Sequence, residues 1–527
     1  MSTPEPTPAP APAAGSNNTT TTPKPKDPHP LLELLPKLPL ILRTTILHIL
    51  RLSEQSKYLD LRTELIIAVL RAFVSPSVPR SISETQRLTS KVPSLKGRIW
   101  VSTYACPAPP FGETGLQDAI SAAIDGLRDP SVPVPTYDMP QPVSVEAEWT
   151  GYRANATAES RLPEGLSQQA LYGEMMKEVK TPLTVLYFHG GAYYLLDPKT
   201  HRATTKKLAK LTGGRVYSVR YRLAPQHPFP AALMDALTSY LALLYPPEGA
   251  FHEPVPAGNI VFAGDSAGGN LALALLQLLM FLNNNGGGGG NGPEKNNNNT
   301  ITWHNLPRTL PLPAGVAVNS PWLDITHSSP SSTTNATFDY LPTLPQQLAA
   351  ETKRPACTAW PAHPPRKHVF AADSLLAHPL VTLVLARSWR GAPPVYMCSG
   401  WELLADEDRF VAHKMWREGV KVVFEEFEAM PHCFGLVFPR LREARRCLEG
   451  WAGFMKGVVE EGNGKGASDN NDKTGVESRF VTIKARTLEE VGNEIEGLWK
   501  EGEEVVEERV WRKIRERGVA EEGLAKL

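Results

Sequence analysis

From about residue 98 the chain repeats one kind of unit: a short run of β-branched and aromatic residues, a turn, and, in the later part, a helical run rich in Leu and Ala. Eight runs read as strands: GRIWVSTYA, VSVEAEWTGY, LTVLYFHGG, GRVYSVRYR, NIVFAGDS, AGVAVNSPW, PPVYMCSG and KVVFEEFEAM. Alternation of such strands with helices predicts an α/β fold, a mostly parallel eight-stranded sheet with helices on both faces.

The flanks differ in kind. Residues 1–30 are Pro, Thr and Ala with few large apolar groups, and are expected to be a disordered tail. Residues 31–97 read as N-terminal helices; in YLDLRTELIIAVLRAFV, Leu59, Leu61, Leu65, Ile66, Val69 and Leu70 recur at helical spacing. The α/β domain spans 98–458, interrupted by a low-complexity insertion at 283–299 and by an irregular segment at about 329–378 that suits a lid. A flexible linker at 459–477 leads to an extension at 478–527. There RFVTIKA suggests a strand, and Leu488, Val491, Ile495 and Leu498 suggest one face of a charged helix.

Lys+Arg and Asp+Glu balance at 55 each, so there is no basic excess for nucleic acid. The five cysteines are scattered, without metal-ligand spacing. With an N-terminus unlike a secretory signal, they point to a reducing compartment and an intracellular, cytoplasmic protein. Leu31 to Leu52 is Leu-rich but carries Glu33, Lys37, Arg43, His48 and Arg51. That composition suits a helix packed on the protein, with peripheral membrane contact through 31–52 as the alternative.

The chemistry concentrates at NIVFAGDSAGGNLALALLQLL, where a strand run meets a helix run across Gly264-Asp265-Ser266-Ala267-Gly268. Such a turn lifts the Ser266 hydroxyl out at the strand end and aims a helix N-terminus toward it. A serine hydroxyl needs a base, an acid that orients the base, and donors for the oxyanion. The run ending in His189-Gly190-Gly191 offers backbone N–H groups, so Gly190, Gly191 and Ala192, with Ala267, are the candidate oxyanion hole. Glu402 is the first acid after PPVYMCSG and the candidate orienting acid. Asp406 is read as a helix-start residue and the fallback acid, with Glu407 and Asp408 as solvated acids beside it. His432 follows the last strand, which gives the chain order serine, acid, histidine. Cys433 beside it reads as a small buried residue. Tyr193, Tyr194 and Leu195 are candidate pocket residues, with simple packing as the competing reading.

HGGAYY, YRLAPQHPFPAALMDAL, GDSAGGNLAL and MPHCF together resemble the hormone-sensitive-lipase-like esterases of the α/β-hydrolase superfamily, over roughly residues 98–458. The resemblance implies Ser266 as nucleophile and His432 as base. It also implies a small-molecule ester of short to medium acyl chain as substrate, and a cap built from residues 31–75 and 329–378. Three positions depart from the family pattern: Glu402 where Asp is common, Ala192 where many members have a third glycine, and Gln226 where Glu is usual. The chemistry needs no metal or organic cofactor. The competing reading is a non-catalytic small-molecule-binding protein on the same fold; the presence of His432 weighs against it.

Overall fold

A computed structural model describes residues 35–76, 78–91, 95–285, 300–464 and 476–518. The predicted tail at 1–30, most of the insertion at 283–299 and most of the linker lie outside the described residues. The strands are β1 (Ile99–Cys106), β2 (Val145–Tyr152), β3 (Thr184–Phe188), β4 (Arg215–Val219), β5 (Ile260–Asp265), β6 (Thr300–Trp303), β7 (Leu306–Thr309), β8 (Gly315–Asn319), β9 (Val395–Gly400), β10 (Val422–Phe427), β11 (Arg479–Ile483) and β12 (Glu490–Gly492). All eight predicted strands form, and they lie in one sheet ordered β1-β2-β4-β3-β5-β8-β9-β10-β11-β12. β2 runs antiparallel to β1 and β4, and every pair from β4 to β11 is parallel. The sheet therefore has ten strands rather than eight: the strand expected at RFVTIKA joins it as β11, and an unpredicted β12 pairs beyond it.

The helices needed below are α1 (Leu38–Ile49), α2 (Leu61–Val74), α3 (Ile82–Thr89), α4 (Arg202–Thr212), α5 (Ala231–Leu244), α6 (Ala267–Asn285), α7 (Leu344–Glu351), α8 (Ala405–Arg417), α9 (Arg442–Gly462) and α10 (Glu503–Glu516). Helices α5 and α6 cover one face of the sheet, and α4 and α9 the other, each with its own apolar core. This explains why β3, β5, β8, β9 and β10 are buried along their whole length rather than alternately. Among the described residues α6 is the one helix long and apolar enough to cross a membrane; it packs instead beneath β3, β5 and β8.

Local chemistry sets the helix ends. Asp60 caps α2 by accepting from the Thr63 N–H (2.7 Å), and Ser81 caps α3 through the Glu84 N–H (3.3 Å). Acids open α8 and Lys414 and Arg417 close it, as the helix dipole favours. α9 continues to Gly462, into the segment read as linker.

The extension departs from its predicted form. Leu488, Val491, Ile495 and Leu498 do not share a helix face, because Glu490–Gly492 pairs antiparallel with β11. Arg486 and Leu488 turn the chain back in the left-handed region, at φ 63° each, and the Lys484 N–H donates to the Glu489 carbonyl. An open sheet edge offers a row of unpaired backbone groups, and pairing there outweighs a weak helical period. The long helix comes later as α10, which buries Val506, Val510 and Ile514 at four-residue intervals.

Candidate active site

Because β3, β5, β9 and β10 are parallel, the loops that follow them all emerge at one edge of the sheet. A cavity of about 640 Å³ lies there, lined by Ser266, His432, Gly191, Ala192 and residues of several other segments.

Ser266 sits in the left-handed region at φ 53°, an unusual place for a residue with a side chain. Its N–H donates to the Asn319 carbonyl (3.0 Å), and its own carbonyl accepts from the Trp322 N–H (3.0 Å). Two glycines permit so sharp a turn. A Cβ on Gly268 would collide with the carbonyls of Phe188 and His189, and one on Gly264 with the Gly268 carbonyl. Asp265 is fixed by the Tyr187 hydroxyl (2.6 Å) and His201 Nε2 (3.3 Å). Burial opposes its charge, but His201, the Tyr187 hydroxyl and His189 together outweigh burial and hold Asp265 below the ordinary carboxylate value. Reciprocally, Asp265 together with Asp197 overcomes the burial of His201 and holds it above its ordinary value.

His432 Nδ1 lies 2.8 Å from Glu402 Oε2, and both residues are buried. The other carboxylate oxygen, Oε1, accepts from Ser399 Oγ (2.9 Å). Burial disfavours the imidazolium. The charge of Glu402, its hydrogen bond, and the charges of Asp339 and Asp265 outweigh that and keep His432 above its ordinary value. With Nδ1 facing the carboxylate, Nε2 is left for proton transfer. Cys433 Sγ lies 3.4 Å from Nε2, its thiol held neutral because burial pushes it well above the usual range. Among the described residues no hydrogen bond joins Ser266 Oγ to His432 Nε2, although both line the one cavity. Bonds of this type tighten when substrate is present.

The acids after β9 separate clearly. Asp406, the fallback, does not reach His432: it accepts from the Ser331 N–H (2.8 Å) and pairs with Arg409 (2.9 Å). Glu407 and Asp408 are not solvated as expected; both are buried. Glu407 accepts from the Leu323 and Asp324 N–H groups (2.7 and 3.1 Å) and so ties α8 to the loop after β8. Burial, and then the Glu402 charge, push Asp408 well above the usual carboxylate range.

Gly191 and Ala192 line the cavity at φ 109° and 51°. Among the described residues the N–H groups of Gly191, Ala192 and Ala267 have no acceptor. Ala192 thus keeps the donor that a third glycine would supply, at a conformational cost of roughly 1–2 kcal/mol. Gly190 lies below, against the Asp265 carboxylate, where it is no part of the cavity wall; its carbonyl accepts from His189 Nδ1 (2.7 Å). Tyr194 and Leu195 line the cavity, but Tyr193 does not. Tyr193 is buried, stacks on Phe370 with centroids 3.6 Å apart, and donates to Asn270 (2.6 Å). It is a packing residue. Gln226 exchanges amide hydrogen bonds with Gln86 (2.8 and 3.1 Å), which docks α3 on this loop.

Asp339 escaped the sequence reading, since it sits in the irregular segment, in TFDYL, with no periodic signal. Its carboxylate accepts from the backbone N–H groups of His432 (3.2 Å), Tyr340 (2.7 Å) and Leu403 (2.8 Å). One buried side chain thereby joins the His432 loop, the Glu402 loop and the 329–378 segment. Arg71 of α2 joins the same segment, donating to the carbonyls of Ala336, Thr337 and Asp339. Val74 and Ser75 from the end of α2, and Tyr340 to Pro342 with α7, complete the cavity wall. Among the described residues no group of three His, Cys, Asp or Glu is placed to hold a metal ion.

A family model described as an α/β-hydrolase fold matches residues 185–436. The acetyl-hydrolase of Streptomyces hygroscopicus is 31% identical over 280 residues, 53% of this chain and 77% of the relative. An esterase of Acinetobacter venetianus is 28% identical over 282 residues, with the same shares. Among solved structures, an esterase from the bacterial hormone-sensitive lipase family superposes at 21% identity with a TM-score of 0.48, over 76% of this chain and 99% of that one.

Proposed function

We propose that this chain, which belongs to the hormone-sensitive-lipase-like esterases of the α/β-hydrolase superfamily and is a carboxylic-ester hydrolase, cleaves short- to medium-chain acyl esters through Ser266, His432 and Glu402. The observation that carries the reading is the 2.8 Å contact of Glu402 with His432 beside a cavity that Ser266 also lines. In the first step Ser266 Oγ attacks the ester carbonyl and His432 Nε2 takes its proton, while Glu402 holds the imidazolium. The N–H groups of Gly191, Ala192 and Ala267 receive the oxyanion. His432 then protonates the departing alcohol. Water, deprotonated by the same nitrogen, releases the acid and restores the serine.

α2 and the 329–378 segment act as the cap. A cavity of about 640 Å³ is of the size that encloses a drug-sized molecule, and the short- to medium-chain preference follows from the resemblance. Against p-nitrophenyl acetate, butyrate, hexanoate and laurate, kcat/KM is expected to be highest among the first three and about tenfold or more lower for laurate. A maximum at laurate contradicts the chain-length assignment, and no turnover of any of the four contradicts the triad.

Peripheral contact with a lipid surface is the second element of the proposal. On α1, Leu38, Leu42, Ile46 and Ile49 share one face and are 47–67% exposed. Arg43 and Arg51 lie beside these residues in the sequence, while Lys37 Nζ is held by the Ala72 carbonyl (3.2 Å). An exposed apolar stripe with basic neighbours suits an anionic interface. The wild type is expected to float with vesicles of phosphatidylcholine and phosphatidylserine, and Leu42→Asp with Ile46→Asp to remain behind. A wild type that does not float with the vesicles excludes the contact.

A further inference from the structure

The cavity over Ser266 carries charge and hydrogen-bond donors that ester cleavage does not use. Lys353 and Arg354 line it just after α7, and Arg517 lines it just after α10. Against these three cations stands one lining acid, Glu351, because Asp265 is already matched by His201. His327 and His368, in the same wall, add no charge of their own. Burial lowers them to about 4 and about 3, and the Arg517 charge pushes both the same way.

Three buried polar atoms on lining residues have no hydrogen-bond partner among the described residues: Ser75 Oγ, Trp322 Nε1 and Arg517 Nε. All three can donate. Each of the three is closed to water, so the cationic character of the open cavity rests on Lys353, Arg354 and Arg517. Nor does Arg517 meet a carboxylate at ion-pair distance among the described residues, unlike Arg409 or Arg446, which pair with Glu426 and Glu425.

Arg517 is held in place by the rest of the fold. Its carbonyl accepts from Lys367 Nζ (3.1 Å), and the Gly518 carbonyl accepts from the same ammonium. α10 is seated by Val506, Val510 and Ile514. The wall between Arg517 and the nucleophile is continuous. The Trp322 N–H donates to the Ser266 carbonyl (3.0 Å), and the Trp322 ring lies 5.7 Å from His327 and 6.2 Å from His368.

We propose that the preferred esters of this enzyme carry an anionic group, a carboxylate on the acyl or the alcohol side, and that the Arg517 guanidinium receives it. The proposal rests on Ser266 being the nucleophile of the same cavity. A guanidinium presents a planar fork that matches a carboxylate, and partial burial strengthens the pairing. The C-terminal extension then has a catalytic consequence: it brings a specificity-determining residue to a site whose chemistry lies more than eighty residues earlier in the chain.

Two matched pairs of substrates test this and show which side of the ester bears the charge. Mono-p-nitrophenyl glutarate against p-nitrophenyl pentanoate places the carboxylate on the acyl side; 4-acetoxybenzoate against its methyl ester places it on the alcohol side. In at least one pair the wild type is expected to favour the acidic member by about tenfold or more in kcat/KM. Arg517→Ala should remove about tenfold of that preference, mainly through KM, and change the neutral member by less than about twofold. Arg517→Lys should keep part of it. Equal turnover within both pairs by the wild type overturns the proposal, as does an Arg517→Ala loss shared equally by acidic and neutral esters. The wild-type ratios decide even where Arg517→Ala does not fold. Failure of the wild type to cleave any of the four esters, acidic or neutral, points instead to failure of the Ser266 reading.

Discussion

Ser266→Ala is expected to lower kcat for p-nitrophenyl acetate by roughly 10⁵-fold and to leave the protein folded. The reason is local. The hydroxyl is the one group removed, and among the described residues it makes no hydrogen bond on which the turn depends. The turn is held instead by backbone bonds to Asn319 and Trp322 and by close packing at Gly264 and Gly268. Alanine tolerates the φ of 53° about as well as serine does. Circular dichroism and Tm should therefore match the wild type while turnover disappears. A variant that keeps activity within about tenfold of the wild type would remove Ser266 from the mechanism.

Glu402→Gln is expected to lower kcat on the order of 10³-fold, and Asp406→Asn to change it by less than about threefold. Glutamine keeps the size of the side chain but not the charge that orients and stabilises the imidazolium. Asp406 serves Ser331 and Arg409 and does not touch His432. The two variants also separate in their pH profiles. With neutral His432 as the proposed base, kcat/KM is expected to rise with pH through the His432 pKa, which the wild type holds above the ordinary histidine value. Loss of the Glu402 charge leaves burial as the dominant influence, and burial lowers a histidine pKa. The rising limb should thus move to lower pH in Glu402→Gln while its plateau falls, and stay in place in Asp406→Asn. An Asp406→Asn enzyme with the larger loss would transfer the role of acid to Asp406.

What could be read in advance follows physical locality. The eight strands were legible because a strand buried on both faces is a short apolar run, and the run itself is the signal. The convergence of Ser266, Glu402 and His432 on one region was legible because each follows a strand within a few residues, and parallel strands deliver their ends to the same edge. Asp339 and Arg517 left no such mark. Asp339 works through backbone N–H groups of loops that lie 64 and 93 residues further along the chain. Arg517 follows α10 in the C-terminal extension and lines the cavity from there, far in sequence from the strands that carry Ser266, Glu402 and His432. Tyr193 was misplaced for a related reason. Its neighbours Tyr194 and Leu195 do face the cavity, but left-handed turns at Ala192 and Tyr193 rotate successive side chains to opposite sides. Glu407 and Asp408 read as solvated because acids at a helix start usually are, and their burial follows from how α8 packs beneath the loop after β8.

Reaction with a fluorophosphonate, followed by peptide mass spectrometry, asks most directly whether His432 activates Ser266. The expected result is one adduct per chain on the peptide that holds Ser266, formed at a rate that collapses in His432→Ala. An adduct on Cys433 or elsewhere, or labelling of Ser266 that is indifferent to the loss of His432, would contradict it.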